Sequence, residues 1–286
     1  MARKQRLDTR LASPVDDAAR RLVSVDNYRP LPRCSRVYDI RVDLLEAIDR
    51  RQSRRKYVPT PLTERDAAVL TELIAALNDS DGVRMELVVD NGSAFDSLRR
   101  SYGMFTGVRN YVGLIADGVY STPEKLGFDG ELVNLTAVTL GLGTCIVGGS
   151  FSRSACPFDL KSSETVACVI VVGEVEPAPS TKEKLLRGAM HRRSKTLNQL
   201  SVTPPPWPDW FNAGLVAVQK APSALNRQPV VFALSDGRAS ASIPATDDPL
   251  MFVDLGIAKR HFGLGAGDGT WDWGSGGVFT PGLVGL

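Results

Sequence analysis

One glycine pattern occurs twice in this chain and constrains it more than any other feature. Gly141-Leu-Gly-Thr-Cys-Ile-Val-Gly148 returns as Gly267-Asp-Gly-Thr-Trp-Asp-Trp-Gly274, 126 positions later, and the same spacing relates Gly130 to Gly256. Each copy follows an apolar run at helical spacing: Leu132, Leu135, Val138 and Thr139 in the first, and Ile257, Ala258, His261, Phe262 and Leu264 in the second. Self-similarity of this kind predicts two related structural units rather than one irregular domain.

The similarity extends upstream with a different gap. Leu62-Thr-Glu-Arg-Asp66 opens a predicted helix with Leu70, Leu73, Ile74 and Leu77 on its apolar face, and Thr63 and Asp66 are spaced as a weak capping box. Met85 to Val89 then reads as a strand ending at the turn signal Asp90-Asn-Gly92. In the second half Trp207, Phe211, Leu215 and Val218 form the matching helix, Pro222 stops it, and Val230 to Leu234 reads as a strand ending at Asp236-Gly237. The expected organisation is a basic arm over residues 1–38, a first half over 39–203 and a shorter second half over 204–286.

Composition narrows the function classes. With 43% apolar and 23% charged residues the chain has ordinary globular make-up. No apolar run approaches the roughly 20 residues of a membrane helix; the longest, Val166 to Val172, has strand length. Four cysteines without CxxC spacing fit a reducing compartment, and two histidines supply little for a metal site or a hydrolytic triad. The first 36 residues hold nine Lys and Arg against four Asp, so the basic surplus is N-terminal and the remainder slightly acidic. Nucleic-acid binding is accordingly not expected. A cytoplasmic location is, with organellar targeting by the arm left open although its Asp8, Asp16 and Asp17 fit poorly with a transit peptide.

Two segments carry chemistry. Arg50-Arg-Gln-Ser-Arg-Arg-Lys-Tyr57 holds five cations and a hydroxyl before the tyrosine. Arg51, Ser53 and Arg55 alternate, so an extended backbone would point all three to one side, where charge-assisted hydrogen bonds grip a phosphate. Pro222-Ser-Ala-Leu-Asn-Arg-Gln-Pro229 packs a hydroxyl and two carboxamides into a proline-bounded loop, and a carboxamide offers both a donor and an acceptor. Taken alone, the first reads equally as a solvated charge run and the second as ordinary turn chemistry. Each half carries only one of them, however, so the halves are complementary. A phosphorylated, amide-bearing cofactor shared between them is the expectation.

These motifs resemble those of the FMN-dependent nitroreductase superfamily, in particular its branch with two nitroreductase-like halves in one polypeptide. Arg51-Gln-Ser53-Arg-Arg55-Lys-Tyr57 is similar to the family's R-x-S-x-R/K-x-F/Y phosphate motif. Pro222 to Pro229 resembles its P-S-x-x-N-x-Q-P loop, and Gly141 to Gly149 its G-L-G-T segment and adjoining glycine turn. The chain departs from the pattern at Val230, where a Trp is common, and Arg192, Arg193 and Lys195 stand in for the family's basic pair.

The resemblance implies an α+β nitroreductase-like fold, a mixed sheet flanked by helices, built as an internal pseudo-dimer that is a monomer or a homodimer in solution. It implies one FMN, held by Arg51, Ser53, Arg55, Pro222, Ser223, Asn226 and Gln228, with the backbone of Gly148 and Gly149 approaching the ring. NAD(P)H would be the electron donor and a small electron-poor molecule, a nitroaromatic or quinone, the acceptor. The flavin carries the chemistry, so no side-chain acid or nucleophile is assigned. The alternatives are an FMN-dependent dehydrogenase or desaturase and a non-catalytic flavin-binding protein.

Overall fold

The structure, a computed structural model, describes residues 35–96, 104–118, 122–179, 194–267 and 269–281. Most of the basic arm, and with it Cys34, together with Arg192 and Arg193, lies outside the described residues.

Helix α1 (Ser35–Arg50) leads into α2 (Glu64–Asp81). Thr63 caps α2 by accepting the Asp66 amide, and Gly82 ends it at φ 65°, a left-handed position that glycine takes without a Cβ clash. Strands β1 (Arg84–Val88) and β2 (Asn110–Ala116), helix α3 (Thr122–Thr139), and strands β3 (Gly143–Val147) and β4 (Thr165–Gly173) come next. The four strands form one sheet of order β1-β2-β4-β3, antiparallel throughout. The apolar run read as a strand is β4, and almost all of it is buried, as a strand covered on both faces requires.

A short helix α4 (Leu197–Leu200) follows, and α5 (Asp209–Gln219) opens the second unit. Strands β5 (Val231–Ser235) and β6 (Arg238–Ser242), helix α6 (Pro249–Ala266), and strands β7 (Gly269–Trp271) and β8 (Gly277–Pro281) complete it. Its sheet has the corresponding order, β5-β6-β8-β7. Asp236 and Gly237 both have positive φ, which makes the β5–β6 connection a tight hairpin whose twist suits its strands. Parallel pairing occurs as isolated bridges, Ser53 to Thr144 and Ser201 to Phe232. Leu200 is buried with Phe211 and Phe232, so α4 packs into the core of the second unit.

Helices α3 and α6 are the centre of the molecule. A Cβ on Gly127 would strike the Val253 carbonyl, and a Cβ on Gly256 would strike the Glu124 carbonyl. The two contacts are reciprocal, and only glycine permits backbones that close. The counterpart of Gly256 across this contact is therefore Gly127, one helical turn before the Gly130 that sequence spacing pairs with it. Gly130 instead faces Leu114 and Ile170.

Three consecutive basic side chains of α6 each meet an acidic side chain of α3. Lys259 Nζ lies 2.5 Å from Glu124 Oε1, Arg260 2.9 Å from Asp129 Oδ1, and His261 Nε2 2.8 Å from Glu131 Oε1, all six side chains buried. Lys259 also donates to the Asp272 and Gly274 carbonyls, and Glu124 accepts the Gly274 amide at 2.6 Å. His261 Nδ1 faces the Ala217 carbonyl, which can only accept, so that nitrogen carries a proton. Burial pulls the Lys259 pKa down against the opposing pull of Glu124. Asp129 is pushed up to about 8 by burial, which outweighs the Arg260 guanidinium, with Asp81 pushing the same way.

Candidate functional site

A cavity of about 280 Å³ opens between the two units. Its wall comes from the extended stretch after α1, the end of β3 and its glycine turn, the loop after α5, and one side of α6. That stretch is pinned on both sides: the Arg54 amide donates to the Thr144 carbonyl, the Thr106 amide to the Arg55 carbonyl, and the Tyr57 amide to the Thr106 carbonyl.

Seven of the nine residues expected from sequence line this one cavity: Ser53, Arg55, Gly148, Gly149, Pro222, Ser223 and Asn226. Arg51 does not. It lines a second, more open cavity with Arg50, Gln52 and Arg54. Alternation of side chains holds only in extended backbone, and Arg51 directly follows α1, its amide still donating to the Ala47 carbonyl as in the helix. Gln228 is buried behind the cavity, and both ends of its amide are committed. Its Nε2 donates to the Gln219 carbonyl at 3.1 Å and its Oε1 accepts the Lys195 amide at 2.7 Å. Lys195, the described member of the basic trio, therefore touches the loop through its backbone. Val230 is buried in the aromatic core of the second unit.

The Pro222 loop has an unusual backbone. Leu225, Asn226 and Gln228 sit at φ 52°, 50° and 45°, a region that costs a residue with a Cβ of order 1–3 kcal/mol each and persists only where the surroundings impose it. Four hydrogen bonds impose it here. Ser223 Oγ accepts the Gln228 amide at 2.9 Å, Gln228 makes the two bonds given above, and the Ala224 amide donates to the Asp254 carboxylate at 3.2 and 3.3 Å to its two oxygens.

Asp254 was not singled out from sequence. It lines the cavity from α6 and is 6% exposed. Burial raises its carboxyl to about 7, against the Ala224 amide and the Arg227 guanidinium, which favour the ionised form. The available signal was its spacing, four residues after Leu250 and three before Ile257, which puts an acid on an apolar helical face. Phe105, Leu250 and Ile257 supply apolar wall. A Cβ on Gly148 would come within 2.8 Å of Leu250, whereas Gly149 borders open space. Among the described residues no cluster of three or more His, Cys, Asp and Glu has the arrangement of a metal site, and no helix is long and apolar enough to cross a membrane.

A family model described as "Putative TM nitroreductase" matches residues 43–266. The chain belongs to this nitroreductase family. Its chemistry therefore falls among the oxidoreductases, and its α+β architecture is the nitroreductase-like fold. A Thermotoga maritima protein described as "a putative nitroreductase" is similar at 22% identity and a TM-score of 0.57, over 82% of this chain and 91% of that one. An FMN-dependent nitroreductase of Clostridium difficile R20291 matches at 19% identity and a TM-score of 0.37, over 51% of this chain and 96% of that one. NfrA2 of B. megaterium matches at 18% identity and a TM-score of 0.39, over 54% and 75% of the two chains. No curated protein matches.

Proposed function

We propose that this nitroreductase-family chain is an FMN-dependent oxidoreductase that uses NAD(P)H to reduce electron-poor acceptors such as nitroaromatics or quinones by a ping-pong mechanism. One observation carries the reading: a single cavity gathers Ser53 and Arg55 from one unit, Ser223 and Asn226 from the other, and the Gly148-Gly149 turn between them. The donor set fits the cofactor. A guanidinium and a hydroxyl suit an anionic phosphate, a carboxamide and a hydroxyl suit the hydrogen-bonding edge of a flavin ring, and Phe105, Leu250 and Ile257 suit its flat apolar body.

In this reading Ser53 and Arg55 hold the phosphate and Asn226 and Ser223 read the ring edge. The small residues Gly148 and Gly149 let the backbone come close to it. Arg51 contributes long-range positive charge from the neighbouring cavity, and Gln228 fixes the loop that carries Asn226. Bound FMN supplies the two-electron chemistry, accepting a hydride and passing it on. The chain's own contribution is orientation and an apolar wall that excludes water.

The same reading takes the chain as a duplicated unit, with halves over 39–203 and 204–286 after a basic arm, so that one polypeptide provides both sides of one site. The equal strand orders of the two sheets and the reciprocal Gly127 and Gly256 contacts support it. A cytoplasmic enzyme, monomeric or homodimeric, is the corresponding proposal for its setting. The visible spectrum of the purified protein, before and after added FMN and then anaerobic NADH or NADPH, is the test. Flavin bands that bleach with a nicotinamide are expected. Protein that stays colourless on reconstitution would overturn the reading.

A further inference from the structure

The Pro222 loop raises a question that the flavin reading leaves open: what holds three left-handed residues in place at the edge of a cavity. Ser223 and Gln228 act from within the loop. The Ala224 amide reaches from the loop to α6, where it donates to Asp254. Helix α6 is anchored by its glycine contacts and buried ion pairs with α3, so it is a rigid support. Ala224 opens the turn Ala224–Asn226, and Asn226 donates its own amide to the Ser223 carbonyl at 3.0 Å. Fixing the Ala224 amide therefore fixes both polar side chains that the turn presents.

We propose that Asp254 is a positioning residue of the site: its buried carboxyl clamps the Ala224 amide and so holds the strained turn that offers Ser223 and Asn226 to the cavity. The charged and titratable groups around the carboxyl are Arg227 in the loop, Asp248 at the start of its own helix, Cys168 on β4 and Arg55 on the same cavity wall. Among the described residues none of these makes a salt bridge with it, which leaves the Ala224 amide as its hydrogen-bond partner. A carboxyl kept inside a wall of Val253, Ile257 and Leu250 for one backbone donor is poorly suited to stabilising the fold, because desolvation opposes it. It is well suited to fixing a backbone that has no low-energy alternative. The order of the turn is independent of the flavin reading; its consequence for cofactor affinity rests on that reading.

The test is amide hydrogen exchange on the full chain without added FMN. In Asp254→Leu the amides of residues 224–228 should exchange about tenfold faster, the loss of one charge-assisted hydrogen bond, while those of β4 keep their protection. In Asp254→Asn, whose carbonyl oxygen still accepts the Ala224 amide, exchange in the loop should stay near that of the unaltered protein. Should Asp254→Leu not fold, Asp254→Ala removes the same acceptor without added bulk and is read in the same way. Unchanged loop exchange in the Leu or Ala variant, or equal acceleration in the Asn variant, overturns the proposal. FMN titration separates the two ideas: affinity about tenfold weaker in Asp254→Leu and restored in Asp254→Asn supports the positioning role. Equal FMN affinity in the Leu variant and the unaltered protein removes the link to the ligand. Failure of every form to bind FMN, with loop exchange responding as expected, sinks the flavin reading and leaves the clamp standing.

Discussion

The two sides of α6 bury charge in opposite ways. Toward α3, Lys259, Arg260 and His261 each meet an acidic side chain, and the resulting network is closed by backbone groups such as the Gly274 amide. Toward the cavity, Asp254 has a backbone amide and, among the described residues, no salt bridge. Basic groups buried against acidic ones hold two helices in one register, and a polar group buried beside open space is placed for what enters that space. The first arrangement is read as architecture and the second as part of a site, although both lie on one helix within a few turns.

Breaking a pair on the architectural side should have the largest effect. Lys259→Met leaves Glu124 buried without its cation and deprives the Asp272 and Gly274 carbonyls of a donor. A loss of about 3–5 kcal/mol in urea unfolding is expected, only partly recovered when Glu124 is also made Leu, because the Gly274 amide then loses its acceptor. A single-variant loss below about 1 kcal/mol would remove the distinction between the two sides.

Gly256→Ala should come next. The added methyl meets the Glu124 carbonyl, which belongs to a packed helix and cannot yield, and about 3 kcal/mol of destabilisation is expected in the same assay. Gly149→Ala, at a position with nothing within 4 Å, serves as its control and should change stability little.

On the cavity side the expectation reverses, with function lost and stability kept. Arg55→Ala should weaken FMN about tenfold to a hundredfold by fluorescence titration, the value of a charge-assisted hydrogen bond, with unfolding shifted by less than about 0.5 kcal/mol. Substituting Arg51 should weaken FMN less, because it lines the neighbouring cavity.

A last prediction concerns pH. Asp129 and Asp254 rise from the ordinary 3.8 to about 8 and about 7, so the folded chain holds protons that the unfolded chain has released. Their contribution to stability is complete below 3.8 and is lost as pH rises through about 7 and 8. Thermal unfolding across that window should show a decline in stability as pH rises, reduced in Asp129→Asn. The same slope in Asp129→Asn as in the unaltered protein would mean that Arg260 keeps Asp129 ionised.

Much of the local structure was legible in the residues. Thr63 and Asp66 predicted the start of α2, the run from Val166 to Val172 predicted β4, and Asp236-Gly237 predicted the end of β5. These features are set by neighbours in sequence, through capping, side-chain alternation and turn chemistry. The gathering of Ser53 and Arg55 with Asn226 was legible only as an expectation from complementary motifs. The fate of Arg51 and Gln228 was not legible, because it depends on where a helix stops and on which carbonyls happen to lie within reach of an amide.

The sequence by itself determined the elements, their order and the residue types available to a site. Tertiary structure decided which of those residues share a cavity, that Gly127 and not Gly130 answers Gly256, and that charges scattered over α3 and α6 form ion pairs on one side and an amide-bound carboxyl on the other. The physical reason is range. Backbone preferences act over a few residues, whereas burial, which sets the worth of every charge here, is fixed only when segments far apart in the chain come together.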